Sequence, residues 1–134
     1  MDRYKRAVET RRLYKFEAVF SRALPVETRR DRSISELRDI SELVWAKHGR
    51  KWCRIPDVVC APDDAQFSYC QGFSKIALLR AHRNLAVLLH ELTHAIGYAG
   101  HGKRFVNRYV ALLVDYGGCE EGELRLGLSM FGIR

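Results

Sequence analysis

Long hydrophobic runs are missing from this sequence. Leu85 to Leu89 runs to only five residues, whereas a membrane-spanning helix needs about 18 to 20; no membrane partner is expected. The opening stretch MDRYKRAVETRR carries charge where a signal peptide has an apolar segment, which predicts a cytoplasmic chain. Cysteine is scarce, at four residues, and Cys53, Cys60, Cys70 and Cys119 form no C-x-x-C pair, so a zinc ribbon is not indicated. In a reducing compartment they are expected to be buried thiols, with a structural metal or a disulfide as the alternatives. No internal repeat or low-complexity segment occurs. With 47% hydrophobic and 29% charged residues, the composition excludes a disordered chain. A length of 134 residues fits one domain, residues 1–134, with a core large enough to need no staple.

Charge is the compositional feature that is present. The chain carries 23 Lys and Arg against 16 Asp and Glu, a net of +7, with a pI near 9.5. Thirteen of the basic and eight of the acidic residues lie in residues 1–50, away in sequence from the motif described next. Such an excess suits solvated helix faces or an anionic partner such as nucleic acid.

Hydrophobic periodicity divides the chain into an α+β pattern. Val8, Leu13, Phe16, Val19 and Phe20 recur at helical spacing from Asp2 to about Leu24, and Pro25 closes that helix. Residues 26–32 read as a polar, exposed connection. Ser33-Ile34-Ser35-Glu36 has capping-box spacing ahead of a stripe of Ile34, Leu37, Ile40, Leu43 and Val44, and His48-Gly49 marks its end. The middle then changes period. Trp52–Cys60, Gln66–Phe73 and Lys75–Leu79 read as a small antiparallel sheet of about three strands, with turns at Pro62-Asp63-Asp64 and Gly72–Ser74. Asn84 caps a largely buried helix from Leu85 to about Ile96, left through Gly97 and Gly100. A further helix from about Lys103 to Asp115 stops at Gly117-Gly118. In the tail, Leu124, Leu126, Leu128 and Met130 alternate like a strand, while Leu124, Leu128 and Phe131 suit a short helix; a helix is the expectation.

The chemistry-bearing motif is His90-Glu91-Leu92-Thr93-His94, an H-E-x-x-H pattern. Chance would produce it in about one chain in a hundred of this length and composition, so its setting matters. On a helix, positions i and i+4 stack on one face, and two imidazoles can converge on one Zn²⁺. Glu91, about 100° further round the helix, can reach a water at the metal without filling a coordination position. The alternative is a buried histidine pair held by hydrogen bonds, with Glu91 on an exposed edge. Two histidines and a carboxylate inside an otherwise apolar helix are costly unless something pairs them, and a metal does so directly. A catalytic zinc site also needs a third protein ligand. His101, seven residues after His94 and just past Gly97 and Gly100, is the first candidate; Asp115, Glu120 and Glu121 are the others. The four thiols are not part of this set.

His90-Glu-Leu-Thr-His94 followed by Gly100-His101-Gly102 and Phe105 resembles the zincin metallopeptidases of the SprT-like group, in which the third histidine stands in an H-G-x-x-F context. It is also similar to the WLM-domain proteases and to small metallohydrolases of actinobacteria and their phages. The resemblance covers Lys75 to Gly118; residues 1–50 match only as a general arrangement of leading helices. It implies a zincin-like fold, with the H-E-x-x-H helix followed by a further helix. It also implies zinc held by His90, His94 and His101, and Glu91 as general base. The loop from His94 to His101 is shorter than SprT-like proteins usually have, and one residue longer than the metzincin spacing. Neither a zinc ribbon nor a DNA-binding appendage is recognisable, so the DNA–protein crosslink repair role of that group does not transfer. In zincins the strand corresponding to Lys75–Leu79 is a sheet edge that receives extended peptide by strand addition; the alternative is an edge strand capped by another element.

Two functions are therefore expected to compete. One is a zinc-dependent metallopeptidase in which Glu91 activates water for attack on a polypeptide substrate, with Tyr98, Tyr109, Arg108 or His82 as candidate donors to the oxyanion. The other is a non-enzymatic, metal-containing binding module that uses its basic surface, for instance on nucleic acid. The presence of Glu91 favours the first, because a purely structural site has no need of it.

Overall fold

The computed structural model describes residues 3–134; the expected helix start at Asp2 lies outside them. Among the described residues there are six α-helices and one three-stranded mixed sheet. The α+β reading is met. The chain forms two compact units, one running from Arg30 to Gly97 and the other joining the described residues up to Arg29 with Tyr98–Arg134. No described helix is long and apolar enough to cross a membrane.

In the unit from Arg30 to Gly97, helix α3 (Ile34–His48) starts where the capping box places it: Ser33 accepts from the Glu36 N–H at 3.1 Å. Leu37 and Val44 are fully buried on its inner face, while Leu43 is exposed. It ends at Gly49, where a Cβ would lie 2.5 Å from the Trp45 ring; only glycine fits so close an approach. Strands β1 (Asp57–Cys60), β2 (Tyr69–Gln71) and β3 (Lys75–Leu78) follow.

The sheet corrects the expectation of an antiparallel meander. The order is β1-β3-β2; β2 and β3 form an antiparallel hairpin, but β1 runs parallel to β3, with Val58 opposite Ile76 and Cys60 opposite Leu78. The physical cause lies in β3. Its Ile76, Ala77 and Leu78 are all buried, and a strand apolar on both faces belongs in the middle of a sheet. Gly72, at φ 56°, makes the β2–β3 turn, and the connection 61–68 then carries the chain from one sheet edge to the other. As a central strand, β3 is not the edge expected from zincins. Packing partners of the sheet are α3 against β1, and helix α4 (Leu85–Ile96) against β2 and β3.

In the other unit, α1 (Arg3–Phe20) buries Leu13 and Phe16, but Val19 is 62% exposed, so the apolar stripe is narrower than its sequence suggests. Residues 26–32 hold more structure than an exposed connection. Val26–Arg29 is a single helical turn, α2, whose Thr28 is fully buried and donates its hydroxyl to Pro25 O at 2.6 Å. A Cβ at Gly117 would sit 3.0 Å from the Thr28 methyl, so glycine there makes room for that turn. Helix α5 (Lys103–Gly117) runs two residues beyond its expected end and is closed by Gly118 at φ 68°. The tail is helical, α6 (Glu121–Met130). Leu124 and Leu128 are buried while Leu126 and Met130 are exposed, which selects the 3.6-residue period over alternation. Its Gly127 lies against Phe16 and Phe20, and those rings stack at 5.2 Å between centroids, with Phe131 edge-on to both.

All four cysteines carry free thiols, and only Cys119 is buried; Cys53 and Cys70 are half-buried and Cys60 is exposed. The expectation of four buried thiols therefore fails for three. Cys60 ends an edge strand and Cys53 sits in the loop after α3, where little chain is available to cover them.

Candidate metal centre

Helix α4 is built to hold its side chains still. The Asn84 side chain caps it by accepting from the Val87 N–H at 3.0 Å, and Gly97 leaves it at φ 128°, a conformation that β-carbon-bearing residues rarely adopt. Between these ends Leu88, Leu89, Leu92 and Ala95 are fully buried. Thr93, also buried, donates to Leu89 O at 2.7 Å, so its hydroxyl is satisfied within the helix.

His90 and His94 share one face of α4, their rings edge to face with centroids 5.1 Å apart. His90 is 5% exposed and Glu91 7%. Glu91 therefore does not stand on an exposed edge, as an ordinary buried histidine pair would have it. One ligand atom from each of His90, His94 and His101 lies within 4.8 Å of the others, and the three could hold a metal ion. An all-nitrogen set of three imidazoles suits zinc, copper, iron or nickel better than calcium or magnesium. On donor chemistry the residues fit a zinc ion.

Two of the other candidates for third ligand are engaged otherwise. Glu120 caps α6 through both carboxylate oxygens, accepting from the Gly122 and Glu123 N–H groups at 3.0 and 2.7 Å. Glu121 lies 3.9 Å from Arg125, and Asp115 is an exposed residue of α5. Neither Glu120, Glu121 nor Asp115 joins the histidine group.

The expected oxyanion donors divide in the same way. Tyr109 is buried and donates to Glu17 Oε2 at 3.0 Å. His82 Nδ1 lies 3.0 Å from Ser68 Oγ, which also accepts from the Leu79 N–H, so His82 anchors the connection between β1 and β2. Tyr98 and Arg108 pair with each other, the guanidinium 5.8 Å from the ring centre.

One titratable neighbour of Glu91 went unnoticed in the sequence. Burial first, and the Glu91 charge second, push the Cys70 thiol from the ordinary 9.0 to about 11. Cys70 sits on the strand that packs against α4, a placement that no spacing in the sequence links to Glu91. A second residue sequence reasoning passed over is Thr10, whose Oγ1 lies 2.9 Å from His101 Nδ1. No spacing rule links positions so far apart.

No family model, curated protein or solved structure matches this chain.

Proposed function

We propose that this chain is a zinc-dependent hydrolase, a metallopeptidase of the zincin type similar to the SprT-like group, that cleaves extended polypeptide. The observation that carries this reading is the convergence of His90, His94 and His101, with Glu91 adjacent to the first of them in α4. Zinc held by the three imidazoles would acidify a water and polarise a substrate carbonyl. Glu91 takes the proton released in the attack and passes it to the leaving amine. Its burial keeps bulk water from competing for that carboxylate.

The sheet narrows where a polypeptide can lie. Because β3 is central, strand addition falls to an edge. On β1, Arg38 Nε already donates to Val58 O at 2.9 Å. Residues 57 and 61 turn their N–H groups to Ser74 and Leu78, so Val58 O faces outward and Arg38 blunts that edge. The substrate strand is therefore assigned to the β2 edge, Tyr69–Gln71. The working compartment is the cytoplasm, whose reducing conditions suit four free thiols.

The test is Glu91→Gln with zinc content and hydrolysis of an unfolded protein measured together. Loss of turnover by about 10²- to 10⁴-fold with zinc retained is the expected result. Turnover unchanged in the variant would remove Glu91 from the reaction.

A second reading rests on a separate surface. Trp52 is 91% and Phe73 48% exposed, with Lys51 over the Trp52 ring and Arg50 4.7 Å from the centre of the Phe73 ring. Aromatic faces beside cations suit stacking on single-stranded nucleic acid. Salt-dependent binding of an oligonucleotide that quenches Trp52, with no hydrolysis in any assay, would favour this binding module over the peptidase.

A further inference from the structure

Residues 1–50 hold no chemistry-bearing motif, yet α1 supplies part of the surroundings of His101. Thr10 Oγ1 lies 2.9 Å from His101 Nδ1. One turn further along α1, the Tyr14 ring meets the imidazole edge to face at 5.3 Å between centroids, and Phe105 of α5 does so at 4.9 Å. Among what holds the imidazole are this hydrogen bond and the two rings, at steep angles to it of 62° and 76°. Beside Thr10, the Glu9 carboxylate would stand 3.2 Å from a Cβ at Gly102, the residue after His101. A side chain at position 102 would require that carboxylate to shift by a few tenths of an ångström.

We infer that Thr10 is a positioning residue for His101, accepting the Nδ1–H so that the Nε2 lone pair is the one offered to the metal. The inference rests on the zinc-hydrolase reading of the three histidines and adds to it the tautomer and orientation of the third. A neutral imidazole has one donor and one acceptor nitrogen, and the hydrogen bond made by one determines the role of the other. A ligand whose second nitrogen is left unpartnered can flip or change tautomer, and loss of such an outer partner typically costs about 10- to 100-fold in metal affinity. His101 depends on this more than His90 and His94 do, because those two project from a capped, buried helix. His101 instead lies in the loop before α5, next to Gly100 at φ 74°.

The experiment compares zinc affinity, by chelator competition, of the full chain with that of Thr10→Val and Thr10→Ser. Valine keeps the shape and removes the acceptor; serine restores the oxygen. The expected result is a loss of about 10- to 100-fold in Thr10→Val and recovery to within a few-fold of wild type in Thr10→Ser. Nitrogen-15 spectra of the metal-free protein should show His101 as the Nδ1–H tautomer in wild type and Thr10→Ser, and a mixture in Thr10→Val. A circular-dichroism melt of each variant separates lost folding from lost positioning. Zinc affinity of Thr10→Val equal to wild type, or an Nε2–H tautomer for His101 in wild type, overturns the inference while leaving the hydrolase reading intact. Wild-type protein that binds no zinc overturns the hydrolase reading and this inference with it.

Discussion

The Tyr109 hydroxyl donates to Glu17 Oε2 at 3.0 Å, tying the buried face of α5 to α1. The residues are 92 apart in sequence, and the bond places a carboxylate on the inner face of a helix otherwise rich in exposed charge. A hydrogen bond to a charged group contributes about 1.5–3 kcal/mol when fully buried. Glu17 is half-exposed, so the lower part of that range applies. Tyr109→Phe is expected to lower stability by about 1–2 kcal/mol, seen as a fall of several degrees in Tm. An unchanged melt would mean that solvent replaces the bond at no cost.

Gly49→Ala tests the close end of α3. Its Cβ would meet both the ring and the carbonyl of Trp45 at 2.5 Å, and Trp45 Nε1 also donates to Cys53 O at 3.1 Å. Overpacking of this kind costs about 1–3 kcal/mol. The midpoint in urea should fall and the near-ultraviolet tryptophan signal should change with it. A variant with both unaltered would show that the ring swings aside freely.

The Cys70 thiol makes stability depend on alkaline pH. Its folded value, about 11, stands above the ordinary 9.0 because burial, and secondarily Glu91, disfavour the thiolate. The folded state therefore holds this proton more tightly than the unfolded chain does. The stabilisation is fully present below pH 9 and is lost as pH rises toward 11. Unfolding midpoints measured from pH 8 to 11 should fall in wild type and fall less steeply in Cys70→Ala. Alkylation of Cys70 should also lag behind that of exposed Cys60 at pH 8, since the thiolate is the reactive form. Equal alkylation rates would contradict the raised value.

Zinc binding should appear directly as stability. A ligand that binds only the folded state at 100 times its dissociation constant adds about 2.7 kcal/mol. Zinc is expected to raise Tm, a chelator to reverse the rise, and His101→Ala to abolish most of it. A rise that persists in His101→Ala would return the third position to another donor.

Much of this organisation is legible in short stretches of sequence. Ser33 and Asn84 cap the helices their positions announce, and Gly97 and Gly118 end theirs with positive φ. These features depend on neighbours within a turn or two, so local chemistry suffices. The sheet is where that reasoning fell short. A run of strands separated by turns suggests a meander, but strand order depends on which strand is apolar on both faces. Isolated tripeptides such as Tyr69–Gln71 do not carry that information.

The sequence by itself established that His90 and His94 share a helical face with Glu91 beside them, because the pitch of an α-helix dictates it. It also named His101 as the leading third donor, without excluding Asp115, Glu120 or Glu121. His90, His94 and His101 form a group that could hold a metal ion; tertiary packing placed Thr10 on the Nδ1 of His101 from 91 residues away, and moved Lys75–Leu78 from the edge of the sheet to its centre. Each of those outcomes rests on contacts between segments remote in sequence, formed when apolar faces are buried together, and no local spacing encodes such contacts.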